Sequence, residues 1–256
     1  MNRLHSRHGC SALVGVVLFA TLASNSIAQL TPQSPQWPLR PNDLACAPRL
    51  GVGMEPTPLQ IVGSQQGRIQ YMYSRNDTLV INGGRANGLD VGQEYSLRRL
   101  EVAYAAGGGT GRVQFLQTVG RIRIAAVEEH ASIATVVDVC DSIHKGDFLQ
   151  AAEPTEIPTI APPGEPDYTS TGTILFGRNG RALAGLGEFF VIDIGTSGGL
   201  SLGQRMTLYR DTLDATGPVT ELGEAVAVLV TPSWSTVQIT RVRDFVYPGD
   251  RVAPHR

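Results

Sequence analysis

Charge is scarce in this 256-residue chain. Asp, Glu, Lys and Arg make up 17% of it, against about 25% in ordinary globular domains. Lysine is almost missing, with Lys145 standing alone beside the arginines. A formal net charge of −2 with no long basic run excludes the electrostatic footprint of a nucleic-acid-binding protein. No window of eleven or more residues holds a clean 3.6-residue apolar period, which excludes long helices and coiled coils. Apolar runs stay short of the roughly 20 residues that a membrane-spanning helix needs. Cysteine is limited to three residues, whereas Gly (29) and Pro (16) are plentiful. That is the composition of a turn-rich, strand-based protein.

The first segment reads as an address. Arg3 and Arg7 form a positive start, Ser11–Ala23 an apolar core, and Ser26-Ile27-Ala28 a small-residue cleavage site before Gln29. Residues 1–28 are therefore expected to be a cleaved signal peptide, with a retained N-terminal anchor as the alternative. Lipidation would need a Cys just after the apolar core, but Cys10 precedes it, so no lipoprotein is expected. Cleavage removes two Arg and no acid, taking the net charge from −2 to −4. It leaves Cys46 and Cys140. Two cysteines in an exported chain are expected to pair; two separate buried thiols are the alternative.

Proline punctuates the rest. Residues 29–48 carry Pro32, Pro35, Pro38, Pro41 and Pro48, and read as an extended, helix-free spacer. Residues 151–168 carry five more prolines and read as a linker. These segments bracket a first β module at 49–150 and leave a second at 169–256.

An internal repeat supports that division. Val80–Arg99 (VINGGRANGLDVGQEYSLRR) and Val191–Arg210 (VIDIGTSGGLSLGQRMTLYR) share nine of twenty positions at a constant offset of 111. The likeness resumes at offset 103, Val119–Phe148 against Leu222–Arg251, so the first copy carries eight extra residues within Leu100–Thr118. Short runs rich in Val, Ile and Tyr, bounded by Gly, Asn or Asp, predict strands. Their spacing predicts an all-β chain of two tandem small antiparallel barrels or sandwiches.

Most shared residues are turn residues. Gly88, Gly92, Gly146 and Asp147, with partners Gly199, Gly203, Gly249 and Asp250, are expected to fix backbone geometry rather than to react. The aspartates are expected to bond to turn backbone, and Leu89 and Leu200 to plug the barrel ends. Gly107, Gly108, Gly109 and Arg112, in the eight-residue surplus, read as a flexible hairpin tip and the candidate loop for touching a partner. Gly177–Arg181 reads as another turn.

Chemistry finds little purchase. Gly195-Thr196-Ser197-Gly198-Gly199 spells G-x-S-x-G, yet a strand-like run follows where a nucleophile elbow needs a helix, and His255 is the only downstream histidine. A hydrolase would need Ser197. No histidine pair has ligand spacing, and an Asp141/Asp147 calcium site lacks a dense acidic loop. No catalytic residue, metal site or cofactor is expected.

The paired signature of Gly88-Leu89, Gly92, Arg99, Gly120 and Gly146-Asp147, with its second-copy partners, resembles small β-barrel repeats of secreted or periplasmic bacterial proteins. It is similar in kind to the C-terminal domain of flagellar assembly protein T and to modules found beside LysM domains. The resemblance implies an envelope location and a non-enzymatic assembly or binding role, and carries over no catalytic residue. The expectation is a periplasmic or secreted binding or assembly component with an envelope protein partner. The alternative is a cell-wall glycan binder using Tyr95, Phe148, Trp234 and Tyr247.

Overall fold

Sixteen consecutive residues, Arg112–Val127, run as one strand along the centre of the first half of the fold. A computed structural model describes residues 38–51, 53–65, 71–104, 112–153, 156–181, 183–212 and 217–256. The signal-peptide expectation for 1–28 lies outside the described residues. In chain order the elements are helix α1 (Pro41–Ala45) and strands β1 (Arg49–Leu50), β2 (Ile61–Ser64), β3 (Thr78–Ile81), β4 (Glu94–Tyr104), β5 (Arg112–Val127), β6 (Ser132–Val139) and β7 (Phe148–Ala151). Then follow β8 (Gly172–Gly177), β9 (Phe189–Ile192), β10 (Arg205–Asp211), β11 (Val219–Val230), β12 (Ser235–Val242) and β13 (Arg251–Pro254). Three single 3₁₀ turns complete the described helical structure. Among the described residues no helix is long and apolar enough to cross a membrane.

The protein is all-β. Strands β8–β13 form a closed antiparallel barrel in the order β10-β11-β12-β9-β8-β13, and β2–β7 form a separate sheet in the order β2-β3-β6-β5-β4-β7 with β1 added beside β5. Replacing each strand of the sheet by the one six places later gives the strand order of the barrel. Backbone bonds also join the ends of the sheet. Ile61 N–H donates to Asp147 O (3.0 Å) and Gly146 N–H to Ile61 O (2.9 Å), as Ile174 and Gly249 do at the closure of the barrel. Register irregularities fall at matching places too, between Leu97/Arg98 in β4 and between Leu208/Tyr209 in β10.

Each half has its own core. Leu79, Ile81, Leu97, Ile122, Ile124, Ala134 and Val136 fill the first; Phe190, Ile192, Leu208, Ala225, Ala227, Val237 and Ile239 fill the second. Where Ile122 and Ile124 become Ala225 and Ala227, Leu79 and Ala134 become Phe190 and Val237. Volume lost on β11 is returned on β12 and β9, the kind of compensated change that cores tolerate.

Two features depart from the sequence expectations. The helix-free spacer over 29–48 is corrected in its described part. Pro41 starts α1 at a first-turn position, where a missing N–H costs nothing. Leu44 and Ala47 then bury against Phe189 and Val228. Likewise the surplus in Leu100–Thr118 is not merely a flexible tip. Its eight residues add four rungs to the β4–β5 hairpin, from Glu101↔Phe115 to Tyr104↔Arg112. An even insertion keeps the inward–outward alternation intact, so the hairpin extends as a straight arm.

That arm lies on the wall of the barrel. Ala103 and Phe115 pack with Phe176 and Val191, with Leu50, Val113, Leu175 and Trp234 at the margin. The rings of Phe115 and Phe176 sit 5.0 Å apart. Cys46, directly after α1, is disulfide-bonded to Cys140 at the end of β6. The helix therefore seats on the barrel while its covalent anchor belongs to the sheet. Residues 156–168 also lie against the barrel: Ala161 N–H donates to Gly203 O (2.9 Å), and Asp167 N–H to Pro254 O (2.8 Å).

Candidate functional site

The shared polar residues form two matching latches. Arg99 Nε and Nη2 donate to the two carboxylate oxygens of Asp147 at 2.7 and 2.8 Å, and Nη2 also reaches Ser142 O at 2.8 Å. Asp147 in turn accepts the N–H of His144 at 2.7 Å. In the barrel Arg210 makes the same pair of bonds to Asp250, at 2.7 and 2.8 Å, reaches Phe245 O, and Asp250 accepts the N–H of Tyr247. Burial pulls the Arg99 pKa down, but its hydrogen bond to Asp147 and the charges of Asp147 and Glu101 leave it above the ordinary arginine value. For Arg210 the bond to Asp250 comes first among the causes and raises it. Each latch ties strand to turn: the arginine sits on the strand that pairs with the last strand of its half, and the aspartate immediately precedes that last strand.

The glycines around them hold left-handed backbone, with φ between 78° and 97° at Gly88, Gly92, Gly146, Gly199, Gly203 and Gly249. Leu89 and Leu200, just past the first turn of each half, are buried. Gln93 and Gln204 then accept the N–H groups of Asp90 and Ser201 (2.9 and 2.8 Å), closing the following turn.

Ser197 occupies the 3₁₀ turn Thr196–Gly198, which is followed by Gly199, Leu200 and then β10 rather than by a helix. Its N–H donates to Pro232 O at 3.0 Å. His255 is engaged elsewhere, its Nε2 2.9 Å from Thr207 Oγ1. Burial, reinforced by Arg205, lowers the His255 pKa against the opposing pull of Glu224, Glu165 and Glu221. Asp141 accepts the N–H of Ser142 at 2.7 Å. Among the described residues no group of three or more His, Cys, Asp or Glu is placed to hold a metal ion.

Of the loop Gly107, Gly108, Gly109 and Arg112, the three glycines lie outside the described residues, and Arg112 begins β5 opposite Tyr104. The four aromatic residues weighed for glycan binding do not share a face. Phe148 is buried, Trp234 is half-buried at the margin of the arm contact, and Tyr95 is half-buried with its hydroxyl bonded to Gln93 (2.9 Å). Tyr247 alone is exposed, and the guanidinium of Arg210 stands 5.2 Å from its ring centroid.

Tyr247 belongs to an apolar group that sequence reasoning missed. Ala184 and Val246 form an isolated β-bridge and are themselves buried. Beside them stand Leu183 (43% exposed), Leu186 (39%), Phe245 (59%) and Tyr247 (43%). At the corresponding bridge of the sheet, Tyr73↔Ile143, exposed Tyr71 (80%) and Met72 (59%) stand on one side, and Ser142 and His144 flank the other. The barrel therefore differs on the second side of the bridge, where Phe245 and Tyr247 make the exposed apolar set continuous. Its sequence signal is the replacement of Ser142 and His144 by Phe245 and Tyr247 at otherwise matching positions.

A polar groove of about 570 Å³ opens beside the disulfide, lined by Arg40, Asn42, Asp43, Asp138 and Arg178. Arg178, in the turn after β8, donates to Cys140 O across the contact, and burial lowers its pKa first among several causes. No protein-family model and no curated protein matches the chain.

Proposed function

We propose that the chain is an exported, non-catalytic binding or assembly component of the cell envelope, built from a duplicated β-barrel module and presenting a protein-docking surface on its second copy. The exposed set Leu183, Leu186, Phe245 and Tyr247 carries this reading. Clustered large apolar side chains on a water-soluble surface mark interaction sites, and aromatic residues are the usual energetic anchors of protein interfaces. The duplication is supported by the matching strand order, register irregularities and Arg–Asp latches. Export is supported by the Cys46–Cys140 bond, since such bonds persist in oxidising compartments. The signal at 1–28 and the linker role of 151–168 belong to the same proposal, as does the resemblance to flagellar and LysM-associated modules.

A protein partner is favoured over cell-wall glycan by Tyr247 itself. Sugar rings stack on open aromatic faces, and Arg210 already stands over this one.

A photo-reactive residue placed at Phe245, in the chain expressed with its export segment in a Gram-negative envelope, tests the reading. The expected product is a crosslink to one envelope protein, abolished by Leu183→Asp, with a mature N-terminus at Gln29. Crosslinks to glycan alone, together with co-sedimentation of the purified chain with bare sacculi, would transfer the assignment to the glycan reading. A folded, exported chain that crosslinks to neither would end both.

A further inference from the structure

Ion pairs on the outer face of the two halves run in opposite order. In the sheet, Arg121 on β5 stands between Glu94 on β4 (3.8 Å) and Asp138 on β6 (4.0 Å). At the same positions of the barrel, Glu224 on β11 stands between Arg205 on β10 (3.7 Å) and Arg241 on β12, to which it is hydrogen-bonded. The registers correspond: Arg121 faces Ser96 and Asp138 across its ladders, and Glu224 faces Thr207 and Arg241. One half therefore reads acid–base–acid, the other base–acid–base. These six side chains are only 11–30% exposed. The Nε atoms of Arg121 and Arg241 are buried with no hydrogen-bond partner, so an added like charge there would meet poor solvation.

Two halves with one strand order and one register are open to a particular error, in which a strand of one half pairs with strands of the other, within the chain or between two copies. The Arg99–Asp147 and Arg210–Asp250 latches offer no protection, because the residues are the same in both halves and would be satisfied in a hybrid.

We infer that the reversed charge order is a pairing code that rejects hybrid barrels. With β11 in the place of β5, Glu224 would stand between Glu94 and Asp138. With β12 in the place of β6, Arg241 would face Arg121; with β10 in the place of β4, Arg205 would face Arg123 and stand diagonal to Arg121. Each single-strand exchange turns opposite charges into like ones, and like charges on neighbouring strands are destabilising. Every native pairing keeps them opposite. Specificity here is repulsion against the wrong partner added to attraction for the right one.

The test separates charge order from charge loss. The variant Glu94→Arg, Arg121→Glu, Asp138→Arg keeps alternating charges in its own half but makes both halves read base–acid–base. The variant Glu94→Gln, Arg121→Gln, Asp138→Asn removes the charges without matching the order. Both are built on Arg75→Gln and Arg123→Gln, which remove the exposed partners of Asp138 and Glu94, so neither replacement arginine meets a like charge in its own half and the lost pairs cancel in the comparison. Each disulfide-bonded full chain is unfolded in guanidinium and refolded by dilution to about 10 μM, and native monomer is separated from larger species by size exclusion with light scattering. The reversed variant is expected to yield at least about twofold less native monomer than the neutralised one at low salt. Wild type is expected to fall towards both in about 1 M salt, where the screening length is about 3 Å. Equal yields from the two variants overturn the inference. Should neither refold, the wild-type salt series decides, and a yield indifferent to salt overturns it equally.

Discussion

Asp147 accepts three hydrogen bonds at once, two from the fork of Arg99 and one from the backbone N–H of His144. Its carboxylate is 2% exposed while the arginine keeps a 23% path to water. The pair therefore acts as a clamp between β4 and the turn that launches β7, and the barrel repeats it with Arg210 and Asp250. Breaking a buried pair by removing one partner strands the other charge. Asp147→Asn is expected to lower unfolding stability by about 3 kcal/mol, measured by guanidinium titration. Arg99→Lys should rescue little, because an ammonium cannot grip both oxygens and Ser142 O together.

The disulfide closes a loop of sequence separation 94. Loop-closure entropy puts its contribution at about 4–5 kcal/mol. Cys46→Ala with Cys140→Ala should lose about that much in equilibrium unfolding. The loss should be accompanied by faster hydrogen exchange at Phe189–Ile192, because α1 then holds its place on the barrel by the packing of Leu39, Leu44 and Ala47 and the bond from Thr236 to Pro48 O, without a covalent anchor. A double variant with unchanged exchange in β9 would show that the bond staples nothing.

Strand β9 explains much of what the sequence hid. Phe189–Ile192 is apolar at all four positions and buried at all four. Phe190 and Ile192 face the barrel core, Phe189 faces α1, and Val191 faces the arm. A continuous apolar run is the signature of a strand covered on both sides, so the contact between the halves was written there, though not what covers it. Strand class, the turn glycines and the cysteine pair were legible because each rests on local geometry or on a count. The arm was not, because its eight residues read equally well as a loose tip until Phe115 is seen against Phe176. Nor was the apolar set around Phe245, since single exposed residues carry no periodic signal. Arg98 was equally silent. It is 2% exposed, hydrogen-bonded to Thr118, and carries a pKa lowered to about 10 by burial first and then by Arg49.

The arm contact is open to direct measurement. Phe115→Ala should cost about 3–5 kcal/mol if the site cannot collapse. A double-mutant cycle with Phe176→Ala should return a coupling of about 1 kcal/mol for the ring pair. Independent losses that simply add would mean that the two rings merely sit near one another.

His255 supplies the acid limit. Burial is the main cause that lowers its pKa below the ordinary 6.5, and its Nδ1 is buried with no hydrogen-bond partner. The unfolded chain therefore takes up this proton at higher pH than the folded chain does. The corresponding stability is complete above pH 6.5 and is lost as pH falls from there towards the lowered folded value. His255→Gln should flatten that part of the stability-against-pH curve while leaving the neutral plateau close to wild type. A variant curve that still bends below pH 6.5 by the same amount would place the proton elsewhere.

Gly92 and Gly203 occupy equivalent turns with nearly equal φ, 90° and 78°, yet their surroundings differ. A Cβ at Gly92 would meet nothing within 4 Å, whereas at Gly203 it would lie 2.0 Å from the backbone oxygen of Thr159. Left-handed backbone costs a non-glycine residue about 1–2 kcal/mol, so Gly92→Ala should lose about that and no more. Gly203→Ala carries the same strain and must also push residues 159–161 off the barrel, breaking the bond from Ala161 N–H to Gly203 O (2.9 Å) and the one from Arg205 Nε to Ala161 O (3.0 Å). It should therefore cost more than its twin and expose the proline-rich segment to protease at residues 156–166. The comparison isolates the strap, because backbone strain is common to both substitutions. Equal losses, with the segment still protected in Gly203→Ala, would mean that 156–168 contributes nothing to the barrel it crosses.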